Sequence, residues 1–409
     1  MAPQTETKHA RCCIVGGGPA GMMLGYLLAR AGIDVVVLEK HADFLRDFRG
    51  DTIHPSTLEV MNDLGLYDEF LTLPHQELRV LSGEVGDVIL PLADFSHLPT
   101  RAKFIALMPQ WDFLNFLARK AKAFPSFDLR MQANVDGLIE SEGKVRGVTA
   151  QTPHGRLEIL ADLVVGADGR HSLVREKAGF VPQEIGAPID VLWFSLNRKE
   201  SDANESLGHM RAGEILVLID RGEHWQCGYV IPKGTAADMK TQDVDLLRRH
   251  VVALVPQLSG RVAEIKNWDD VKLLTVAINR LKLWHKPGLL CIGDAAHAMS
   301  PVGGIGINIA IQDAVATANI LTAVLKGQGP VPDTDLARVQ ARREWPMKAT
   351  QAMQVFIQNR VISRVLAQSG ATIAPPWFMR LFIVLPWLRR LPARIIGMGF
   401  RPERVHQLL

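Results

Sequence analysis

The chain has 409 residues, 47% of them hydrophobic and 22% charged, with a formal net charge of +3 at pH 7. That length favours two or three structural units, each able to bury a core. The composition excludes a disordered chain, a collagen and a coiled-coil rod, and the small net charge gives no reason to expect a nucleic-acid partner.

Residues 1–10 are short and polar, without the apolar core and cleavage site of a secretory signal. Ala10 to Val15 then reads as a short buried strand, followed at once by Gly16-Gly17-Gly18-Pro19-Ala20-Gly21. Met22 to Ala31 reads as an apolar helix closed by Gly32, and Asp34 to Glu39 as a second strand. Strand, glycine turn, helix and strand in about thirty residues make a βαβ unit. Gly16 permits the tight turn, Gly18 lets a pyrophosphate approach the backbone, and Gly21 lets helix pack on strand. With Pro19 and Ala20 at the helix start, the first N–H groups face the phosphates. Glu39, with Lys40 beside it, stands where a carboxylate accepts hydrogen bonds from ribose hydroxyls.

Further helices are predicted at Pro55–Leu66 and Gln110–Ala123, with short β-like pieces over 71–100. Strands follow at Asp128–Asp136, Lys144–Thr152 and Leu160–Ala167, the last ending in Asp168-Gly169. Residues 186–280 change character, with strand-like runs at Ile189–Leu196, Ile215–Asp220, Gln226–Ile231 and Val271–Ala277 around a helix at Asp243–Val255. A buried strand, Leu289–Ile292, leads into Gly293-Asp294, and a long helix covers Gly306–Leu325. From Leu336 on, helices are expected, broken at Pro375-Pro376, Pro386 and Pro392. This tail carries twelve Lys or Arg against two acids, where the rest has 34 against 41. No apolar run approaches the roughly 18 residues of a spanning helix. The four cysteines, Cys12, Cys13, Cys227 and Cys291, have neither Cys-x-x-Cys nor metal spacing, so no metal site is expected and a reducing, cytoplasmic setting fits.

The expected fold class is α/β. A discontinuous Rossmann-like domain takes 1–70, 101–185 and 281–335. A substrate-binding sheet domain takes 71–100 and 186–280, and a helical C-terminal region takes 336–409.

Two segments after buried strands refine this reading: Asp168-Gly169-Arg170-His171-Ser172-Leu173-Val174-Arg175, and Gly293-Asp294-Ala295-Ala296-His297 running to Pro301-Val302-Gly303-Gly304-Ile305-Gly306-Ile307-Asn308. With the first glycine cluster they resemble, in order and spacing over residues 11–320, the para-hydroxybenzoate hydroxylase class of FAD-dependent aromatic monooxygenases. The resemblance implies a glutathione reductase-type FAD domain, tightly bound FAD, NADPH or NADH as transient reductant, and dioxygen activated as a flavin hydroperoxide that hydroxylates an aromatic or lipophilic molecule. It puts Glu39 on the adenosine ribose, Arg49 near the pyrophosphate and flavin, Gln110 on the ribityl–phosphate region, Asp294 on ribityl or pyrophosphate groups, and Pro301, Gly304, Gly306, Ile307 and Asn308 along the isoalloxazine. Val135 would offer backbone to the adenine, and Asp168 with Arg175 would belong to the motif associated with FAD and NAD(P)H binding, partly by organising its own turn. The bland readings are a solvated loop arginine for Arg49 and a helix cap for Gln110. His171 and His297 read as architectural. Trp193, Phe194, Trp225 and Tyr229 are candidates to line a ring-shaped pocket. No Ser-His-Asp set or paired-carboxylate site is visible, and no catalytic residue is named.

A related FAD-dependent reductase or halogenase is the alternative, the tryptophan-halogenase Trp-x-Trp-x-Ile-Pro signature being missing; a non-catalytic flavin-binding protein is a third reading. The basic, aromatic stretch 376–400 is a candidate for peripheral membrane contact or for a homodimer interface.

Overall fold

The computed structural model describes residues 5–45, 52–202, 207–368, 375 and 377–406. In chain order the main elements begin with β1 (Glu6–Val15), α1 (Pro19–Arg30), β2 (Val35–Leu38), α2 (Pro55–Asp63), β3 (Val80–Val85), β4 (Val88–Asp94) and α3 (Gln110–Ala121). They continue with β5 (Phe127–Arg130), β6 (Asn134–Ser141), β7 (Lys144–Thr152), β8 (Gly155–Gly166), β9 (Ile189–Asn197), β10 (Leu207–Arg211), β11 (Glu214–Asp220) and β12 (His224–Pro232). After α4 (Asp245–Leu254) come β13 (Lys272–Leu274), β14 (His285–Lys286), β15 (Leu289–Cys291), α5 (Gly306–Lys326), α6 (Asp333–Ile357), α7 (Trp377–Val384) and α8 (Arg390–Met398).

The β-branched runs of β1, β2 and β8 are buried on both faces, as central strands of a parallel sheet require. They form the middle of an eight-stranded sheet in the order β14-β15-β8-β1-β2-β5, with the β6–β7 hairpin added antiparallel to the first half of β8. The pairs β1–β8, β1–β2, β8–β15 and β2–β5 are all parallel. Helix α1 packs on this sheet, and α5 packs against α1 and α6. α5, with the turn before it, is long and apolar enough to cross a bilayer, yet 78% of its most apolar window is buried within the fold.

A seven-stranded sheet, β13-β9-β12-β11-β10-β3-β4, stands apart from the first. It is antiparallel except where β10 meets β3 in parallel. One face packs on α4 through Leu192, Phe194, Leu196, Trp225, Cys227 and Tyr229. The other turns Val191, Ile215 and Val230 toward Ile362 and Val365 from beyond α6 and toward Val302. Alternation along each strand makes two separate cores from one sheet.

Three sequence expectations are corrected. β1 begins four residues before the apolar run, because its polar residues Glu6–His9 pair in register with Leu157–Leu160 of the long β8. The strand expected over Val271–Ala277 pairs only through Lys272–Leu274. The break expected at Pro392 is absent, because Pro392 sits in the first turn of α8, where helix N–H groups lack intrahelical acceptors anyway.

Candidate active site

β1 ends at Val15 and the chain reverses through Gly16, whose φ of +108° and closeness to Ala167 (an added Cβ would stand 2.4 Å from its carbonyl oxygen) admit only glycine. α1 starts with Gly18 as its N-cap and Pro19 after it, with no side-chain cap. Its first N–H groups therefore face open space, and a Cβ on Gly18 would meet nothing within 4 Å. At Gly21 an added Cβ would stand 1.9 Å from the Gly16 carbonyl oxygen, so helix and turn touch there. The result is an anion cradle with room above it.

Glu39, at the end of β2, accepts hydrogen bonds from Gly17 N (2.9 Å) and His41 N (3.0 Å). Lys40 follows on the rim, and Val135, next to Asn134, forms the wall beyond. Gln110 enters from the first residue of α3. Gly16, Gly18, Pro19, Ala20, Glu39, Lys40, Gln110, Val135, Asp168, Asp294, Pro301, Gly304, Gly306 and Ile307 all line one cavity of about 1930 Å³. Arg49 lies outside the described residues.

The two Asp turns are tied to each other. Asp168 accepts from Ser172 Oγ and Val174 N, while Ser172 in turn accepts from Arg175 N. Burial holds the Asp168 carboxyl above its ordinary range, against those hydrogen bonds. Arg175 donates to the carbonyls of Ala295 (3.1 Å) and Arg170 (2.7 Å), and Arg170 stands 3.8 Å from Asp294. Behind Asp294, Asp313 is fully buried and accepts from Gly293 N (3.1 Å), His297 Nε2 (2.6 Å) and Arg343 Nε (3.0 Å). His297 is thereby committed to the scaffold. His171 is exposed at the cavity rim.

The loop at Pro301–Gly304 turns through Gly303 and Gly304, both at positive φ. A Cβ on Gly304 would stand 2.3 Å from Thr52 Oγ1, which donates to the Gly304 carbonyl at 2.9 Å. Asn308 does not line the cavity. Its Oδ1 accepts from His54 N and Thr57 Oγ1, and its Nδ2 donates to the carbonyls of Thr52 and Gly304. It shapes the loop from behind. Burial lowers His54 to about 4, which keeps the ring neutral with Nδ1–H donating to the Ile396 carbonyl of α8.

Sequence reasoning missed a set of buried glutamines on α6 and the turn after it, behind the cavity-lining Met353 and Ile357. Gln351 donates to the carbonyl of Ala298, Gln354 to those of Ser300 and Val302, and Gln358 to Ser300 Oγ. Ser300 N donates back to Gln354 Oε1. Their spacing of three and four residues was the available signal, one face of a helix fastening a loop.

Among the aromatic candidates, Trp193 alone reaches the cavity, its ring lying over Gly228. Phe194, Trp225 and Tyr229 point to the opposite face and join the core under α4. Trp225 Nε1 donates to Asp202 at 2.8 Å, and the Tyr229 hydroxyl rests against Glu214 and His250. Burial and the nearby Glu214 carboxylate both raise the Tyr229 phenol, which keeps it protonated. The reason is strand parity: Gln226, Gly228 and Val230 face the cavity, so the odd-numbered neighbours face away.

The cradle fits FAD. An uncapped helix N-terminus meets a glycine with free space above it, a carboxylate stands at the second strand end, and a glycine-rich loop with exposed backbone lies across the same cavity. The remaining wall is an apolar sheet face, so cofactor and substrate would share one space.

Comparison with known proteins agrees. Residues 9–352 match the family described as FAD binding domain. The chain is 31% identical to 6-methylpretetramide 4-monooxygenase of Streptomyces rimosus, over 88% of this chain and 86% of that one. It is 24% identical to para-nitrophenol 4-monooxygenase of Pseudomonas sp. (strain WBC-3), over 81% and 82%. The structure of Pseudomonas aeruginosa PqsL in complex with 2-aminobenzoylacetate superposes with a TM-score of 0.76 at 22% identity, covering 88% of this chain and 98% of that one.

Proposed function

This chain belongs to the FAD binding domain family, in the para-hydroxybenzoate hydroxylase class of FAD-dependent monooxygenases, and from that premise we propose that it hydroxylates a multi-ring aromatic substrate with electrons from NADPH or NADH. The observation that carries the substrate class is the single cavity of about 1930 Å³, whose floor beyond the FAD cradle is Val191, Trp193, Met210, Ile215, Val217 and Val230. Pockets for one small ligand hold roughly 300–1,000 Å³, so this space suits a dinucleotide and a polycycle together.

FAD, when bound, supplies the reduction of dioxygen and the transfer of one oxygen atom. The chain's own residues hold and shield. Gly16–Ala20 and Glu39 would anchor the dinucleotide, and Asp294 with the Pro301–Gly304 loop would hold its ring system. The apolar floor would exclude water and hold the substrate beside that loop.

The test is oxidation of NADPH and NADH, with oxygen uptake, by the FAD-loaded protein across a panel of phenols and polycyclic aromatics. One compound is expected to stimulate both and to yield a product carrying one atom of ¹⁸O from ¹⁸O₂. Anaerobic reduction of an added alkene, with no oxygen consumed, would replace the reading with a reductase.

A peripheral membrane contact at the cytoplasmic surface is proposed for the C-terminal helices. Its support is the outer side of 377–398, where Val384 and Trp387 are 72% and 60% exposed, with four arginines and no acid in that stretch. Apolar residues beside unopposed arginines suit an anionic bilayer. The full chain should float with phosphatidylglycerol-containing vesicles, less so in high salt, and combined serine substitution of Val384 and Trp387 should abolish flotation. A concentration-dependent dimer that ignores vesicles would overturn the assignment.

A further inference from the structure

Gln226 is a polar residue in an apolar floor. It is 5% exposed, sits on the cavity-facing side of β12, and lines the cavity. Arg221 Nε and Nη2 both donate to its Oε1, at 2.9 and 2.8 Å. A guanidinium offers only donors, so it fixes which end of the amide faces it. The Gln226 NH₂ group is therefore turned the other way, and among the described residues it donates to nothing. The residue is buried but this NH₂ opens onto the cavity, so its acceptor is supplied by whatever fills that space.

The register says where along the floor this donor stands. Val230 pairs with Ile215 and packs near Val302 of the loop that borders the flavin site. Gln226 pairs with Ile219, which packs against the same apolar cluster as Ile396 and Met398 of the C-terminal region. Four strand residues separate the two ends, about 13 Å at the usual rise. Three fused rings, a terminal oxygen and its hydrogen bond together span about that distance.

We propose that Gln226, oriented by Arg221, is a substrate-specificity residue that donates a hydrogen bond to a carbonyl or phenolic oxygen at the end of a multi-ring substrate remote from the flavin loop. The proposal rests on the polycycle reading above and adds the substrate's polarity: apolar along its length, an oxygen acceptor at the far end. No proton or electron moves in this contact.

The test compares two ligands of one shape, 2-acetylanthracene and 2-isopropenylanthracene, which differ in having a carbonyl oxygen or a methylene. Binding is read from the absorption change of the FAD-loaded protein, with no turnover needed. Wild type is expected to prefer the acetyl compound by about 10-fold or more, the usual weight of one satisfied buried donor. Gln226→Leu should erase the preference. Gln226→Glu keeps an acceptor for Arg221 and removes the donor, so it should hold the wild-type melting temperature and still lose the preference. A purely structural glutamine would predict the reverse: full preference in Gln226→Glu. That result, equal binding of both ligands by wild type, or binding of neither, would overturn the proposal. If instead the pair is discriminated as expected but the protein never consumes oxygen, the monooxygenase reading fails and the Gln226 assignment stands.

Discussion

Gly18→Ala is expected to leave the apoprotein folded and to weaken FAD binding by one to two orders of magnitude. The backbone at Gly18 is extended, with φ −73° and ψ −175°, which alanine adopts freely. An added methyl would meet no protein atom within 4 Å. It would project instead into the space over the α1 N-terminus, where the pyrophosphate must approach the helix N–H groups. Intruding one methyl into a close contact costs roughly 1–3 kcal/mol, which in binding is about 10- to 100-fold. The neighbouring glycines give the contrast. Gly16→Ala and Gly21→Ala drive a Cβ into backbone atoms of the fold itself, so both should lower the melting temperature of the apoprotein as well. Titration of apoprotein with FAD by flavin fluorescence, beside thermal melts without FAD, separates the cases. If Gly18→Ala bound FAD as tightly as wild type, the phosphates would have to sit elsewhere.

Asp313→Ala should be the most destabilising single change outside the glycines, by about 3–5 kcal/mol, the usual cost of removing one member of a buried ionic group. Asp313 and Arg343 are at most 1% exposed, and Glu403, 4% exposed, is held by Arg343 and Arg342. Removing the carboxylate leaves the Arg343 charge only half matched, and strips the acceptor from Gly293 N in the turn that presents Asp294. The same group sets an acid limit. Burial alone would raise the Asp313 carboxyl, but His297 and Arg343 outweigh it and hold it below its ordinary value. Its contribution to stability is therefore complete above the unfolded-state value of about 4 and is lost as pH falls through the lower folded-state value. Urea unfolding of wild type and Asp313→Asn at a series of pH values should show the two curves converging on acidification. Parallel curves down to the acid limit would remove Asp313 from the account.

What could be read from the sequence follows from where backbone geometry constrains residue choice. Gly16, Gly18 and Gly21 are each demanded by a turn, a space or a contact, so the cradle was legible before any fold was known. Asp168 and Asp294 were legible because their turns follow buried strands. The side of the floor was not. β12, and β9 over its first half, are buried on both faces, so alternation separates the two sets of residues without saying which set faces the cavity. Trp225 and Tyr229 looked suited to stack on a ring, but parity sent them under α4 and put Gln226 and Gly228 in the cavity. Asn308 was read as a neighbour of the flavin, whereas all of its hydrogen-bonding capacity is committed behind the loop. The glutamines of α6 and the turn after it escaped notice because a polar helix face usually means solvent, and here it meets the carbonyls of Ala298, Ser300 and Val302.

The parallel junction between β3 and β10 has a consequence for anyone who would move this floor to another scaffold. Residues 82–85 and 207–210 meet there although more than a hundred residues separate them in sequence. A cut piece spanning 186–280 would carry five of the seven strands and leave β10 as a bare edge, with a row of open amides and carbonyls ready to recruit another chain. Swapping substrate preference between relatives by exchanging that continuous block should therefore yield aggregates. Exchange of the cavity-facing positions strand by strand, or of 76–94 together with 186–280, respects the seam.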